Sequence, residues 1–249
     1  MLDPEYLWLF CLLIGFGAFT QGFTGIGFGI IVLAGIAFTP WDFERTTVVL
    51  NLLLLVLNSS IIYASRKESR INWRLVGYIL MGEVFGVPLG YWFILAFGNR
   101  PVFRLTFGAA LTLFAANELF RPRIRRELNM AFGVLAGFMG GFLSGAFTAA
   151  GPPLALFVYS RQKDPRLAKG TLQTVFISAT IWRLVNIAMF GKGITMLVTK
   201  IAAMTLPVLV ICTFLGHIVS RRVSKGTFLK IVYSFIGFAG VMNIIKGLR

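Results

Sequence analysis

Residues that usually carry catalysis or bind metals are scarce in this chain. Its 249 residues include one histidine, two cysteines and nine acidic residues. The three aspartates, Asp3, Asp42 and Asp164, fall near the terminus or between apolar stretches, so they do not cluster with the histidine. A catalytic or metal site needs several such side chains close together. We therefore expect no metal site, no bound cofactor and no enzyme.

The cysteine content argues against a disulfide-stabilised fold. Cys11 and Cys212 each lie inside an apolar stretch, where a thiol usually serves as a small packing residue. Long polar stretches are missing as well, because neither a low-complexity linker nor a polar insert interrupts the chain. The absence of such segments predicts one domain over residues 1–249.

What the chain has instead is apolar sequence. Hydrophobic residues make up 57% of it, and the charged residues gather in short blocks. The apolar stretches between these blocks cover approximately residues 6–38, 46–65, 73–97, 102–119, 129–159, 168–190, 195–219 and 227–246. A helix of about 20 apolar residues crosses the hydrocarbon core of a bilayer. The pattern predicts an all-α polytopic membrane protein.

The charge balance is strongly basic, with 24 Lys and Arg and a net charge of +15. Such a charge can indicate nucleic acid binding, but here the basic blocks flank the apolar stretches. Lys and Arg in that position interact with anionic lipid headgroups and fix the orientation of membrane helices. We expect the lipid bilayer as a partner and no nucleic acid.

The second half of the chain looks like a copy of the first. Thr24-Gly25 matches Ser144-Gly145, and Leu89-Gly90 matches Leu215-Gly216, in the same order along the chain. Weak internal similarity of this kind is typical of transporters built from duplicated units, so we predict two four-segment repeats. The repeats cover approximately residues 1–120 and 127–249.

The first and fifth apolar stretches are long and are interrupted near their middle. The interruptions, called here the first break and the second break, are Gly22–Gly29 and Ser144–Pro153. A continuous helix of roughly 30 residues would be about 45 Å long, against a hydrocarbon core of about 30 Å. Two half-helices folded back as a re-entrant hairpin fit this length better, although full spanning stays open. Irregular backbone at such depth is tolerated where it lines a cavity inside the protein.

The distribution of Lys and Arg favours the re-entrant arrangement. Basic residues accumulate on the cytoplasmic side of membrane proteins. In this chain they divide unevenly between the two sides only if both interrupted stretches are re-entrant. That arrangement places both termini outside and gives each half an odd number of crossings. The repeats are then inverted.

Arg183 lies within a long apolar run, from Leu172 to Phe190. A charged side chain at bilayer depth costs about 3 kcal/mol and by default marks a substrate or ion pathway. The helix that resumes after each break would present N–H groups and the positive end of its dipole. A guanidinium together with such helix ends predicts a receptor for a small anion near the bilayer midplane.

Polar and small residues around these features are the candidates for contact with the anion. The candidate substrate-binding residues are Arg183, Gln21, Gly22, Thr24, Gly25, Gly27, Ser144, Gly145, Thr148, Gly151, Pro152 and Gln173. Small residues at such spacing are also how membrane helices pack, and for any single glycine this alternative stays open. Glu83 is either the counter-ion of Arg183 or a protonatable group that couples transport to protons.

The two breaks also resemble the paired signatures of a known family. The tracts Phe19–Gly29, Gly141–Gly145 and Gly151–Pro153 are similar to those of the sulfite exporter TauE/SafE family, also called the 4-toluene sulfonate uptake permeases. The resemblance covers nearly the whole chain. It implies a secondary carrier of the bacterial inner membrane for sulfite, sulfoacetate or other organosulfonates, with both breaks as the functional core. Where many members have a glycine run, this chain has Ala146–Ala150, which leaves the substrate size open.

These observations together predict a multi-pass secondary transporter that moves a small anionic substrate by alternating access. Proton coupling through Glu83 is one option for the energy source of transport. A passive anion channel is the alternative reading, and a membrane-embedded enzyme is a less favoured one. The sequence leaves four properties open. They are the identity of the anion, the direction of transport, the coupling ion and the oligomeric state, including a homo-oligomer.

Overall fold

The computed structural model describes residues 6–36, 39, 41–65, 70–98, 100–120, 128–191, 194–220 and 225–248. Within these residues the chain forms α-helices and no strands. The helices are α1 Leu7–Thr24, α2 Phe28–Ile36, α3 Phe43–Ser65, α4 Trp73–Phe97, α5 Pro101–Phe120, α6 Ala131–Phe147, α7 Gly151–Arg161, α8 Pro165–Phe190, α9 Met196–Val219 and α10 Lys225–Leu248. The all-α prediction is confirmed. The eight apolar stretches become ten helices because the first and fifth stretches each form two.

Six helical segments in the described part of the chain are long and apolar enough to cross a bilayer. They are Leu7–Thr24, Phe43–Tyr63, Trp73–Phe97, Arg166–Phe190, Met196–Val219 and Leu229–Leu248. Several of their large apolar side chains are exposed, among them Trp8, Met204 and Phe214. Apolar side chains facing outward are what a lipid-embedded surface requires, so the architecture is that of a polytopic membrane protein.

The helices divide into two compact units that do not coincide with the sequence halves. Unit 1 contains α1, α2, the start of α3, the end of α4, and α5, α9 and α10. Unit 2 contains most of α3 and α4 together with α6, α7 and α8. Each unit therefore combines helices from both halves of the chain.

In unit 1, α2 folds back along α1. A Cβ added to Gly17 would contact the side chains of Phe28 and Val32, and a Cβ added to Gly35 would overlap the side chain of Leu13. On another face of α1, Gly22 lies against the backbone of Thr213 in α9. The absence of side chains at these glycines is what allows the helices to approach so closely.

In unit 2, α4 and α6 form a glycine interface. Its glycines recur at four-residue spacing on both helices, and they are Gly82, Gly86 and Gly90 on α4 and Gly137, Gly141 and Gly145 on α6. A Cβ added to Gly82, Gly86 or Gly90 would overlap the backbone of α6. Four-residue spacing puts small residues on one face of a helix, so the two backbones lie in direct contact.

The two breaks share a left-handed residue directly after the first helix. Gly25, which caps α1, has φ 91°. Thr148, which caps α6, has φ 52°. In both places the next helix begins three residues further on, at Phe28 and Gly151. The first break contains a second left-handed glycine, Gly27, with φ 115°.

Candidate functional site

Arg183 is the most unusual buried side chain of unit 2. It lies on α8 with 0% of its surface exposed, and none of its three guanidinium nitrogens has a hydrogen-bond partner within the described residues. A buried charge is costly unless it is paired and hydrogen-bonded. An arginine held in this way has all its donors available for an anion.

Two neighbours of Arg183 on α8 fix it against other helices. Asn51 on α3 donates from Nδ2 to the carbonyl oxygen of Thr180 at 3.1 Å, and Asn58 donates to the Thr180 hydroxyl at 3.4 Å. On α4, the carbonyl oxygen of Val84 accepts a hydrogen bond from the indole N–H of Trp182 at 3.2 Å. Because these bonds hold α8 on both sides, they restrict rotation of the turn that carries Arg183.

Tyr91 is a buried neighbour of Arg183. It lies on α4 and is 1% exposed. Its hydroxyl lies against Gly191, where a Cβ would overlap it. Gly191 ends α8, so the small residue at this helix end makes room for the tyrosine.

Glu83 is buried on α4 without a partner of its own. Its side chain is 2% exposed, and neither carboxylate oxygen has a hydrogen-bond partner in the described part of the chain. The Glu83 Cα lies 3.0 Å from the position that a Cβ on Gly141 would take, so the residue sits at the α4–α6 glycine interface. Glu83 and Arg183 therefore form no ion pair in this structure. Of the two roles that the sequence allows for Glu83, the counter-ion role is not realised here.

At the first break, the polar side chains predicted to bind the anion form hydrogen bonds within the turn. Gln21 accepts from the N–H of Phe28 through Oε1 at 3.0 Å, which caps the start of α2. The Thr24 hydroxyl lies 2.6 Å from the carbonyl oxygen of Ile26. Gly25 and Gly27 have φ of 91° and 115°, a region that favours glycine.

Gly22 differs from these glycines, because the constraint on it comes from the neighbouring helix. A Cβ there would overlap the carbonyl oxygen of Thr213. Each first-break candidate therefore has a local structural role within unit 1.

At the second break, the chain turns at a strained residue. Thr148 is left-handed although it is β-branched, and its N–H donates to the carbonyl oxygen of Ser144 at 3.0 Å. A β-branched residue in this region is a genuine outlier, and such strain is concentrated at functional sites. The Thr148 hydroxyl donates to the carbonyl oxygen of Phe147 at 2.6 Å.

The start of α7 offers fewer donors than sequence reasoning expects. Gly151, Pro152 and Pro153 form its first positions, and proline has no N–H. Two of the N–H groups that a helix start usually presents are therefore missing. At this break, Gly151 and the preceding backbone are the remaining sources of N–H donors.

Gln173 is placed on the same helix as Arg183 but far from it. It is 1% exposed on α8, ten positions before Arg183, which corresponds to about 15 Å along the helix axis. Gln173 stays a predicted ligand on the helix that carries Arg183.

The structure distributes the candidates between the units. Unit 2 holds Arg183, Glu83, Ser144, Gly145, Thr148, Gly151, Pro152 and Gln173, and unit 1 holds Gln21, Gly22, Thr24, Gly25 and Gly27.

Sequence reasoning missed Tyr91 and Trp182. The signal for Tyr91 was its spacing on α4, where Glu83, Val87 and Tyr91 form one stripe beside the glycines.

Comparison with known proteins identifies the family. The model of the family described as sulfite exporter TauE/SafE matches residues 9–243. The chain belongs to this family. The TauE/SafE match includes both breaks and all of α8, and it confirms the resemblance of the glycine-rich tracts. The family is one of transporters and not of enzymes.

A relative of this TauE/SafE protein is known from Cupriavidus necator. It is described as a probable sulfite/organosulfonate exporter TauE, and it is 29% identical over 212 residues. The alignment covers 82% of this chain and 80% of the relative. No solved structure matches the chain.

Proposed function

We propose that this TauE/SafE protein is a secondary transporter of sulfite or organosulfonates across the bacterial inner membrane. The observation that carries the proposal is the buried guanidinium of Arg183, which has no hydrogen-bond partner in the described part of the protein. The chemical class of the anion comes from the description of the Cupriavidus necator relative. The geometry supports an anionic substrate, and the relative's description supports sulfite or an organosulfonate as that anion.

The chemistry of the guanidinium suits these anions. Sulfite and the sulfonate group each present three oxygens around one sulfur, and two of them match the parallel N–H groups of arginine. In a site from which water is excluded, such a charge-assisted pair is stronger than in solution. Arg183 would neutralise the negative charge of the anion, and the second break would contribute the backbone of Gly151 and the hydroxyl of Ser144.

The proposed architecture is a pair of inverted repeats. α1–α5 and α6–α10 both contain five helices, and in each half the second helix is the shortest. When successive helices alternate in direction, an odd number reverses the second half relative to the first. The shared left-handed turns at Gly25 and Thr148 support the duplication. Alternating access then follows from rocking of the repeats, with both termini outside.

The folded-back pair α1–α2 supports a re-entrant hairpin, because α2 has nine residues and is too short to cross the core alone. The pair α6–α7 has the same form, since the side chain of Leu154 on α7 stands against Gly140 on α6. In both pairs the glycines of the first helix make room for the second.

Ion gradients are the proposed energy source. The sequence has no glycine-rich loop of the G-x-x-x-x-G-K-[ST] type that binds nucleotide phosphates. Glu83 is the proposed proton carrier, because a carboxyl group that is buried without a partner is most stable when protonated and would lose its proton on contact with water. Its position at the α4–α6 interface would couple that proton to movement of the helices.

The test is uptake of labelled sulfite and of a labelled organosulfonate by proteoliposomes, with and without a proton gradient. Gradient-dependent accumulation in the wild type, lost in Arg183→Gln, supports a coupled carrier. The matched control is Arg74→Gln, since Arg74 is exposed on α4. Flux that only dissipates a gradient would indicate a passive channel, and no flux of either anion through folded protein would reject the substrate class.

A further inference from the structure

Pro88 leaves a gap in the hydrogen bonding of α4. It lies inside this helix, between Trp73 and Phe97. Proline has no N–H, so the carbonyl oxygen four residues earlier loses the donor that a helix normally supplies. That carbonyl belongs to Val84. In a membrane no water is available to replace the missing donor, so another group of the protein must supply one.

Trp182 supplies this donor from another helix. Its indole N–H donates to the Val84 carbonyl oxygen at 3.2 Å, and Trp182 immediately precedes Arg183 on α8. The irregular turn of α4 is therefore tied to the turn of α8 that carries the guanidinium. Val84 and Trp182 are 98 residues apart in sequence, so the bond is a tertiary contact between α4 and α8.

The bond between Trp182 and Val84 attaches α8 to α4, whereas the other hydrogen bonds near Arg183 attach α8 to α3. Asn51 and Asn58 hold Thr180, one turn before Arg183, from α3. Trp182 provides the corresponding attachment to α4, the helix that also carries Tyr91 and Glu83. Loss of the indole bond would free α8 to rotate, and Arg183 would turn with it.

We propose that Trp182, bonded to the carbonyl oxygen that Pro88 leaves open, is a positioning residue that sets the orientation of Arg183 toward the anion. The proposal rests on the proposed function, because it assumes that Arg183 binds the transported anion. It also makes a separate claim about the fold, namely that Pro88 and Trp182 are energetically coupled through one carbonyl group.

A double-mutant cycle tests both claims with purified protein in detergent. The variants are Trp182→Phe, Pro88→Ala and the double variant, and the two measurements are thermal unfolding and the Kd for sulfite. Alanine at position 88 restores an N–H that can donate to the Val84 carbonyl oxygen within α4, so it competes with the indole N–H of Trp182 for that oxygen. The control is Trp73→Phe, since Trp73 is 67% exposed on the same helix.

The expected results distinguish an effect on the orientation of Arg183 from an effect on the thermal stability of the protein. Pro88→Ala raises the unfolding temperature, because a proline is removed from a helix interior, yet it weakens sulfite binding. Trp182→Phe weakens binding by about five- to tenfold, the loss expected for one hydrogen bond that positions the guanidinium. The double variant binds no worse than the weaker single variant, and Trp182→Phe costs less thermal stability in the Pro88→Ala background than in the wild type.

Each other outcome overturns one of the two claims. Additive changes in thermal stability would show that Pro88 and Trp182 are not coupled, whatever the protein transports. Coupled stability with wild-type sulfite affinity in both single variants would reject the positioning role. Absence of sulfite binding by the wild type would reject the proposed function and the affinity claim with it, while the thermal cycle would still decide the coupling.

Discussion

Gly145 on α6 lies directly against the carbonyl oxygen of Val87 on α4, with no space for a Cβ between them. The same relationship recurs in unit 1, between Gly22 on α1 and the carbonyl oxygen of Thr213 on α9. In both units the first helix of a break packs by its glycines on the fourth helix of the opposite half. This contact places Glu83 beside α6, and it makes the glycines of α4 the determinants of helix packing in unit 2.

We expect Gly86→Ala to destabilise the protein and Gly77→Ala not to. A Cβ at Gly86 would overlap the carbonyl oxygen of Phe138, whereas nothing lies within 4 Å of a Cβ at Gly77 on the same helix. Overpacking of this kind costs about 1–3 kcal/mol. Replacing an unconstrained helix glycine by alanine instead gains up to about 1 kcal/mol. Thermal unfolding in detergent measures both, and equal effects of the two substitutions would contradict the tight α4–α6 contact.

We expect Gln21 to act mainly as the cap of α2. Gln21→Leu removes the acceptor of the Phe28 N–H, and loss of such a cap costs about 1 kcal/mol. Gln21→Glu keeps an acceptor oxygen and adds a negative charge near the positive end of the helix dipole. Because Gln21 is buried, the carboxyl group also loses solvation, so we expect Gln21→Glu to unfold between Gln21→Leu and the wild type.

The sulfite affinity of Gln21→Glu distinguishes a role of Gln21 as a helix cap from a role as a ligand of the anion. A side chain in contact with the anion would repel it once charged, so a large loss of affinity in folded Gln21→Glu would assign Gln21 to the substrate site. Unchanged affinity together with a destabilised Gln21→Leu is the result that the cap predicts.

We expect Glu83→Gln to uncouple transport from protons while the fold is preserved. Glutamine has the same size and stays neutral, and no hydrogen bond to the Glu83 carboxylate is lost because the described residues supply none. Gradient-driven accumulation of sulfite in proteoliposomes should disappear, and exchange of labelled for unlabelled sulfite should continue. Accumulation that responds to the proton gradient as in the wild type would assign coupling to another group.

Much of the helical architecture can be predicted from sequence because its determinants are local. Left-handed glycines follow the end of α1 at the first break, and two prolines lie in the first turn of α7 at the second, so the structure ends α1 at Thr24 and α6 at Phe147, inside the predicted breaks. The length of the apolar stretches likewise predicts segments that can cross a bilayer.

The contacts of the candidate site could not be predicted in the same way. In a membrane helix both the buried and the lipid-facing side are apolar, so periodicity does not show which face meets a neighbour. The bond between Trp182 and Val84 and the absence of an ion pair between Glu83 and Arg183 depend on packing between helices that are distant in sequence. Sequence reasoning left the role of Glu83 open for this reason.

The most direct test of the account is the binding of sulfite to purified protein, measured by calorimetry for the wild type, Arg183→Gln and Arg74→Gln. Arg183 has no hydrogen bond to lose among the described residues, so Arg183→Gln should fold and unfold like the wild type. We expect it to bind no sulfite, while Arg74→Gln binds sulfite like the wild type. Wild-type affinity in a folded Arg183→Gln variant would contradict the claim that this buried arginine holds the transported anion.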